Sequence, residues 1–104
     1  MKIRRATKIE MEKGLVYVAE EDKKIIGYSH GVSFLKKSRK GREKEGKKID
    51  IDVIFVNKEF RGRGIAGKLI EKTLKFVKEK FDKVWVSCPE ILKRLNMDSR
   101  GRIK

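Results

Sequence analysis

The stretch "EFRGRGIAGKL", residues 59 to 69, constrains this chain more than any other part of its sequence. It sets two arginines among three glycines and leads directly into a segment whose apolar residues recur at helical spacing. Glycines between a strand and a helix let the backbone turn sharply and bring consecutive N–H groups close to a ligand. Because the positive end of the helix dipole points to the same place, the stretch predicts a phosphate-binding turn.

Two common phosphate-binding loops fit this stretch poorly. A Walker loop needs Ser or Thr after its Gly-Lys pair to bind magnesium, and here Leu69 follows Gly67-Lys68. Gly62, Gly64 and Gly67 have the spacing of a dinucleotide-binding fingerprint. That fold also needs an acidic residue at the end of the next strand, where this chain has "VSCPE", and a longer parallel sheet than the remaining residues can build. Neither loop type is therefore favoured.

The segments around the turn alternate between strand and helix patterns. "KIRRAT" predicts a first strand, and residues 15–35 predict a hairpin that turns at "EEDKK". "KIDIDVIFV", residues 48–56, alternates with a period of two. This alternation predicts one strand face with Ile49, Ile51, Val53 and Phe55, and an opposite face with Asp50, Asp52, Ile54 and Val56.

The sequence pattern of the second half of the chain predicts the longest helix and the C-terminal elements. The helical spacing runs from Ile65 to about Lys80, a strand follows at 83–88, and "EILKRLNM" predicts a short helix before a polar tail. We therefore expect a single domain over residues 1–104 of the α/β (α+β) class. Its sheet would be mixed, twisted and mainly antiparallel, with about five strands, one long central helix and a short C-terminal helix.

The segment "KKSRKGREKEGKK", residues 36–48, holds no apolar side chain. It cannot contribute to a core, so we expect a flexible, solvated basic loop. The loop is also a possible arm for nucleic acid, although no aromatic residue is interleaved in it to stack on bases.

Cysteine, histidine and hydropathy narrow the class of protein further. The chain has one cysteine and one histidine, so it forms no intramolecular disulfide, and we expect no metal site. Its N-terminus has no continuous apolar core, and no run approaches the ~20 apolar residues of a membrane helix. We expect a soluble, cytoplasmic protein with no membrane partner.

The charge balance has two interpretations. The chain carries 29 Lys and Arg against 15 Asp and Glu, a net charge of +14, which attracts nucleic acid or phosphorylated cofactors. It also lacks glutamine and has only two asparagines, a composition typical of proteins from very hot environments. Both interpretations stay open.

The residues after the strand resemble the central motif of the GNAT superfamily of acetyl-CoA-dependent N-acetyltransferases. That motif is Arg or Gln, two residues, Gly, one residue, then Gly or Ala, and residues 61–66 fit every position. The resemblance covers residues 49 to 88 and is poor after Pro89. In this respect the chain resembles a compact, shortened member of the family. It implies transfer of an acetyl group from acetyl-CoA to a primary amine of a protein, peptide or small molecule, by a monomer or homodimer.

The resemblance also implies residue roles for the cofactor. Three residues at the end of the strand would border the pantetheine arm, and the backbone N–H groups of the glycine turn would bind the pyrophosphate beside two arginines. The cofactor-binding residues implied are Ile54, Phe55, Val56, Arg61, Gly62, Arg63, Gly64, Ile65, Ala66 and Gly67.

The reaction requires a base that takes the proton of the amine. Some family members carry a glutamate on the strand before the motif, which makes Asp50 our first choice and Asp52, on the same predicted face, the second. Two acidic residues on one strand face are equally consistent with ordinary solvent exposure. His30 in "GYSHGV" is the other titratable candidate, although a lone histidine on a strand is more often structural.

The proton donor is where the sequence departs from the family. The family tyrosine falls on Leu92, which cannot donate a proton. The "Cys-Pro" after the last strand resembles the compact branch of the superfamily, so Cys88 could lie beside the thioester sulfur, or be a small buried hydrophobe. Three functions stay open: an acetyltransferase, an acetyl-CoA-binding module with weak or no turnover, and a basic nucleic-acid-binding domain.

Overall fold

The computed structural model describes the backbone of residues 1–37 and 44–104, and the side chains of residues 1–33 and 47–104. Within this part of the chain, six strands form one sheet in the order β1-β2-β3-β4-β5-β6. Neighbouring strands are antiparallel except β4 and β5, which are parallel. The elements are β1 (Lys2–Arg5), α1 (Lys8–Glu12), β2 (Leu15–Glu21), β3 (Lys24–Lys37), β4 (Lys44–Val56), a 3-10 turn (Lys58–Phe60), α2 (Ile65–Lys80), β5 (Lys83–Val86), α3 (Pro89–Arg94) and β6 (Gly101–Arg102).

The predicted α+β class is confirmed, with one strand more than the expected five. The extra strand is β6, which lies in the segment predicted to be a polar tail. Its two residues pair with β5, Gly101 with Val86 and Arg102 with Trp85. A strand this short has no readable alternation, so only backbone pairing reveals it.

The hairpin predicted for residues 15–35 is confirmed as β2 and β3. Asp22 and Lys23 connect the strands with φ angles of 49° and 65°. Positive φ at both central residues is the backbone twist of the two-residue turns that match twisted antiparallel strands. Asp is among the residues that tolerate this region best.

Helix α1 was not expected from the periodicity of its apolar residues. The Thr7 hydroxyl accepts a hydrogen bond from the backbone N–H of Glu10 at 3.3 Å, and Glu10 Oε1 accepts one from the N–H of Thr7 at 2.8 Å. Arg4 donates to Glu10 at 2.8 Å and to Glu20 at 3.0 Å. The sequence signal was the spacing Thr-x-x-Glu, which is a capping box even without an apolar stripe.

The predicted long helix is confirmed as α2. Its buried side chains recur every three or four residues and pack on the sheet; they are Ile65, Leu69, Ile70, Thr73 and Val77. Strands β4 and β5 and helix α3 complete the larger apolar cluster, with Ile51, Val84, Val86 and Ile91 fully buried. Burial of one stripe of α2 accounts for most of the stability of this helix.

The predicted alternation of β4 is wrong beyond Ile51. His30 of β3 pairs with Val53 and Gly31 pairs with Ile51, so Asp52 is an extra residue in β4. This β-bulge shifts the phase of the strand: Ile54 is buried, whereas Val53 and Phe55 are 40% and 39% exposed. Ile54 and Val56 therefore do not share the face of Asp50 as expected.

Both ends of the segment predicted to be a basic loop, residues 36–48, belong to strands. Strand β3 reaches Lys37 and β4 begins at Lys44, with Leu35 paired to Lys47 and Lys37 to Lys44. Residues 38–43 lie outside the described part of the chain. A strand ladder is made by backbone groups, so polar side chains do not prevent it from extending.

Candidate functional site

The site begins where β4 and β5 separate. Their parallel pairing ends at Ile51 and Val86, and the N–H groups of Ser87 and Cys88 both donate to the carbonyl of Ile51, at 3.0 and 3.2 Å. Strand β4 continues to Val56 while the chain after β5 turns into α3. In the described pairing, the end of β4 has no strand partner on the β5 side, which leaves backbone groups available for an extended ligand.

A cleft of about 320 Å³ lies at this divergence. Three lining residues come from the end of β4, and the others come from the glycine turn, the first turn of α2 and the first turn of α3. They are Ile54, Phe55, Val56, Arg61, Ala66 and Glu90. All except Glu90 are among the cofactor-binding residues implied by the resemblance. The structure thus brings residues from four elements into one cleft.

The glycine turn has the backbone geometry expected of it. Gly62 and Gly64 have φ angles of 83° and 78°, and Gly64 is the N-cap of α2 in the left-handed region. A Cβ atom built on either glycine would meet no described heavy atom within 4 Å. Both positions are therefore glycine because of backbone conformation rather than because of crowding.

The N-terminus of α2 offers free hydrogen-bond donors. The first helical hydrogen bond joins the N–H of Lys68 to the carbonyl of Gly64 at 3.2 Å, and no side chain of the described residues caps Gly64. The N–H groups of Ile65, Ala66 and Gly67 precede this bond and have no acceptor within the helix. Donors of this kind, at the positive end of a helix dipole, bind anions.

The two arginines of the turn have different surroundings. Arg61 lines the cleft, and its Nε donates to the carbonyl of Val56 at 3.1 Å, which ties the turn to the end of β4. The guanidinium of Arg63 stacks over the ring of Phe60 at 5.0 Å. Both side chains are exposed, so both charges are accessible to an anion.

Asp50, the first choice for the base, is held by two hydrogen bonds. Its Oδ1 accepts from the hydroxyl of Ser87 at 2.9 Å, and its Oδ2 accepts from Nε of Arg100 at 2.9 Å. The guanidinium of Arg100 also stacks over Trp85 at 4.3 Å. These contacts indicate that the Asp50 carboxylate connects the C-terminal segment, through Arg100, to the sheet.

Asp52, by contrast, contacts the other titratable candidate. Its Oδ1 lies 2.6 Å from Nδ1 of His30, and the two side chains are 34% and 29% exposed. The pair joins β3 to β4 at the β-bulge, two residues before Ile54 of the cleft. A carboxylate that contacts one ring nitrogen fixes the orientation of an imidazole. The structure thus pairs Asp52 with His30 and gives Asp50 other partners, Ser87 and Arg100.

Cys88 lies in the apolar core rather than at the surface of the cleft. Its side chain is fully buried, and its thiol donates to Oε2 of Glu90 at 3.0 Å. Burial, with a smaller effect of the Glu90 carboxylate, raises the pKa of the Cys88 thiol. The same hydrogen bond lowers the pKa of Glu90. At neutral pH the pair is a thiol and a carboxylate, so Cys88 is a donor and a poor nucleophile.

Metal binding and membrane insertion have no structural signature in the described residues. No group of three or more His, Cys, Asp or Glu side chains there is arranged to hold a metal ion. None of the described helices combines the length and the apolar character needed to cross a membrane.

Comparisons with known proteins show the family and the fold of this chain. The model of the acetyltransferase (GNAT) family matches residues 2–99. An acetyltransferase structure from Vibrio fischeri is similar with a TM-score of 0.58 and 23% identity, over 83% of this chain and 94% of that one. Among curated proteins, no sequence matches this chain.

Two further solved structures share the fold. The ribosomal-protein-alanine N-acetyltransferase of Brucella melitensis has a TM-score of 0.57 and 18% identity, over 81% of this chain and 64% of that one. A predicted acetyltransferase from Clostridium acetobutylicum, solved with acetyl-CoA, has a TM-score of 0.54 and 21% identity, over 86% and 61%. This chain spans less than two thirds of either protein. Because the family match extends over nearly the whole sequence, the chain belongs to the GNAT acetyltransferase family.

Proposed function

We propose that this protein is an acetyl-CoA-dependent N-acetyltransferase that acetylates a primary amine. One observation carries the proposal: the unpaired end of β4 and the glycine turn of α2 border one cleft. Acetyl-CoA has an extended pantetheine arm and a diphosphate. Its binding needs a strand edge for the arm and an anion site for the diphosphate, side by side. The Clostridium acetobutylicum structure, which has the same fold, was solved with acetyl-CoA.

Each part of the cleft suits one part of the cofactor. The N–H groups of residues 62–67 would bind the diphosphate, with Arg61 and Arg63 supplying positive charge. Ile54, Phe55 and Val56 would border the pantetheine arm along the end of β4. When bound, acetyl-CoA supplies the acetyl thioester that the amine attacks.

We assign the base to the pair of Asp52 and His30. Asp52 lies two residues before Ile54, about 7 Å along the strand, on the side of the cleft away from the glycine turn. Asp50 is the weaker candidate because both of its carboxylate oxygens already accept hydrogen bonds. In this assignment, Asp52 orients the imidazole and the pair accepts the proton that leaves the amine.

Cys88 has the protonation state that a proton donor needs, but its sulfur is buried and its hydrogen bond goes to Glu90. Glu90 is the member of this pair that lines the cleft. We therefore assign Cys88 as a positioning residue that holds the Glu90 carboxylate.

The second candidate function is an acetyl-CoA-binding module with weak turnover. Leu92, the residue at the position of the family tyrosine, is 9% exposed and belongs to the apolar core. A side chain packed in this way offers no proton to the cleft. A module that binds without turnover would leave the glycine turn and the cleft unchanged.

Release of CoA thiol from acetyl-CoA, measured over a panel of primary amines, separates the two functions. An acetyltransferase releases thiol only when an acceptor amine is present, and mass spectrometry finds the acetylated amine. We expect Asp52→Asn to lower this rate and higher pH to restore part of it, because more of the amine is then neutral. The matched control is Asp98→Asn, since Asp98 is exposed and outside the site. Binding of acetyl-CoA without thiol release for any amine would support the module instead.

A further inference from the structure

The last residue of α3, Arg94, lies against the first turn of α2. A Cβ atom built on Gly67 would be 3.3 Å from Cζ and 3.7 Å from Nη1 of Arg94, and closer still to Nη2. The guanidinium therefore occupies the space that a side chain at position 67 would fill. Gly67 belongs to the turn of α2 that carries the free N–H donors.

This contact gives the third glycine of the opening stretch a role of its own. Gly62 and Gly64 have positive φ angles and open space around them. Gly67, in contrast, lies inside α2, where any residue can adopt the backbone conformation. Because Gly67 has no side chain, the guanidinium of Arg94 has room beside it.

Arg94 also keeps its hydrogen-bond donors free. Within the described part of the chain, Arg4 and Arg100 form ion pairs, and Arg61 donates to a backbone carbonyl. Arg94, which is exposed, has no carboxylate within salt-bridge distance and no hydrogen-bond acceptor among those residues. A guanidinium with free donors pairs with a phosphate through two parallel hydrogen bonds.

We propose that Arg94 binds a phosphate group of acetyl-CoA, so that α3 contributes a positively charged wall to the phosphate site. The inference rests on the proposed function and adds a side chain that lies outside the glycine motif. Helix α3 carries Glu90 at the cleft in its first turn and ends with Arg94 beside Gly67, so this one short helix would border the site from the pantetheine arm to the phosphates. The phosphate is either the diphosphate or the 3′-phosphate of the cofactor.

The test is calorimetric titration of acetyl-CoA into the wild type, Arg94→Ala and the control Lys93→Ala. Lys93 is the exposed basic neighbour of Arg94 on the same helix turn. We expect Arg94→Ala to raise Kd by about 10- to 100-fold, because hydrogen bonds to a charged group are lost. Lys93→Ala should change Kd by less than about 3-fold, since a screened surface charge contributes little.

Acetyl-dephospho-CoA, which lacks the 3′-phosphate, identifies the group bound. A loss that persists with this ligand assigns Arg94 to the diphosphate, and a loss that disappears assigns it to the 3′-phosphate. Gly67→Ala provides an independent arm, because its Cβ displaces the guanidinium. It should weaken binding in the wild-type background and have little further effect in Arg94→Ala.

Two results would overturn the inference. If the wild type binds acetyl-CoA and Arg94→Ala binds equally well, or no worse than Lys93→Ala, Arg94 is not a phosphate ligand and the proposed function stands. If the wild type itself does not bind acetyl-CoA, the proposed function fails together with the inference. Circular-dichroism melting of each variant verifies that it is folded at the titration temperature.

Discussion

At the scale of single residues, the candidate site depends on backbone conformation. Gly62 and Gly64 place consecutive N–H groups at the start of α2 by adopting positive φ angles. β-Branched residues adopt this region rarely and at a cost of about 1–3 kcal/mol. The conformation and the open space beside it are separate properties, so two substitutions at one position can distinguish them.

Gly64→Val should both destabilise the fold and abolish acetyl-CoA binding. Asparagine tolerates the left-handed region, so Gly64→Asn should retain most of the stability while its side chain enters the space beside the turn. Thermal melts measure the stability, and titration with acetyl-CoA measures the affinity. If both variants fold and bind acetyl-CoA with unchanged affinity, this turn does not bind the diphosphate.

Cys88→Ala should lower the free energy of unfolding by about 1 kcal/mol, because a buried side chain is truncated within a packed cluster. We expect acetyl-CoA affinity to change little, since Cys88 does not line the cleft. The native thiol should react slowly with an alkylating reagent and quickly once the chain is unfolded, because burial raises its pKa. Rapid alkylation of the folded protein would show that the sulfur is accessible. Cys88 would then again be a candidate for the proton donor.

At the scale of elements, sequence patterns succeeded where one element carries its own signal. The stripe of α2 and the glycines before it predicted the helix and its start correctly. The alternation of β4 failed because Asp52 is an extra residue opposite β3, and a bulge is a property of the strand pair. The contact of Asp52 with His30 follows from that bulge. Glu90 and Arg94 were missed because their places depend on how α3 packs beside α2.

Helix α1 offers a test of element stability through pH. The hydrogen bond from Arg4, with a second from the N–H of Thr7, lowers the pKa of Glu10 to about 2. Because this value lies below the ordinary 4.5, ionised Glu10 stabilises the fold above about pH 4.5, and the contribution is lost as pH falls toward 2. Glu10→Gln should therefore destabilise the protein at pH 7 by about 1 kcal/mol.

The measurement is a series of denaturant melts of the wild type and Glu10→Gln between pH 7 and pH 2. The difference between the two proteins should shrink steadily below pH 4.5. The control Glu12→Gln alters an exposed glutamate of the same helix and should have little effect at any pH. A difference that stays constant down to pH 2 would contradict the role of the ionised carboxylate.

At the scale of the whole molecule, the class of fold was predictable because strand patterns surround one dominant helix. The length of the β3–β4 hairpin and the presence of β6 were not, since both consist of backbone pairing between polar segments. The net charge of +14 is a property of the surface as a whole. It fits both attraction of phosphorylated ligands and adaptation to high temperature.

Replacement of the lysines and arginines of residues 36–48 by serine tests what this charge does. We expect the acetyl-CoA affinity and the melting temperature to stay nearly unchanged, because the cofactor cleft is built from other residues. Filter binding to DNA and RNA at several salt concentrations completes the test. The nucleic-acid-binding function would be favoured if the wild type binds with a steep salt dependence and the variant loses most of this affinity.

Amide NMR of the 104-residue protein during titration with acetyl-CoA tests whether the glycine turn and the cleft form the cofactor site. We expect saturable shifts that are largest for the N–H groups of residues 62–67, with a second set at residues 53–56 along the end of β4. Amides of α1 should serve as an internal reference and change little. Shifts confined to the β3–β4 hairpin, or spread evenly over basic residues, would contradict the claim that the glycine turn and the cleft form the cofactor site.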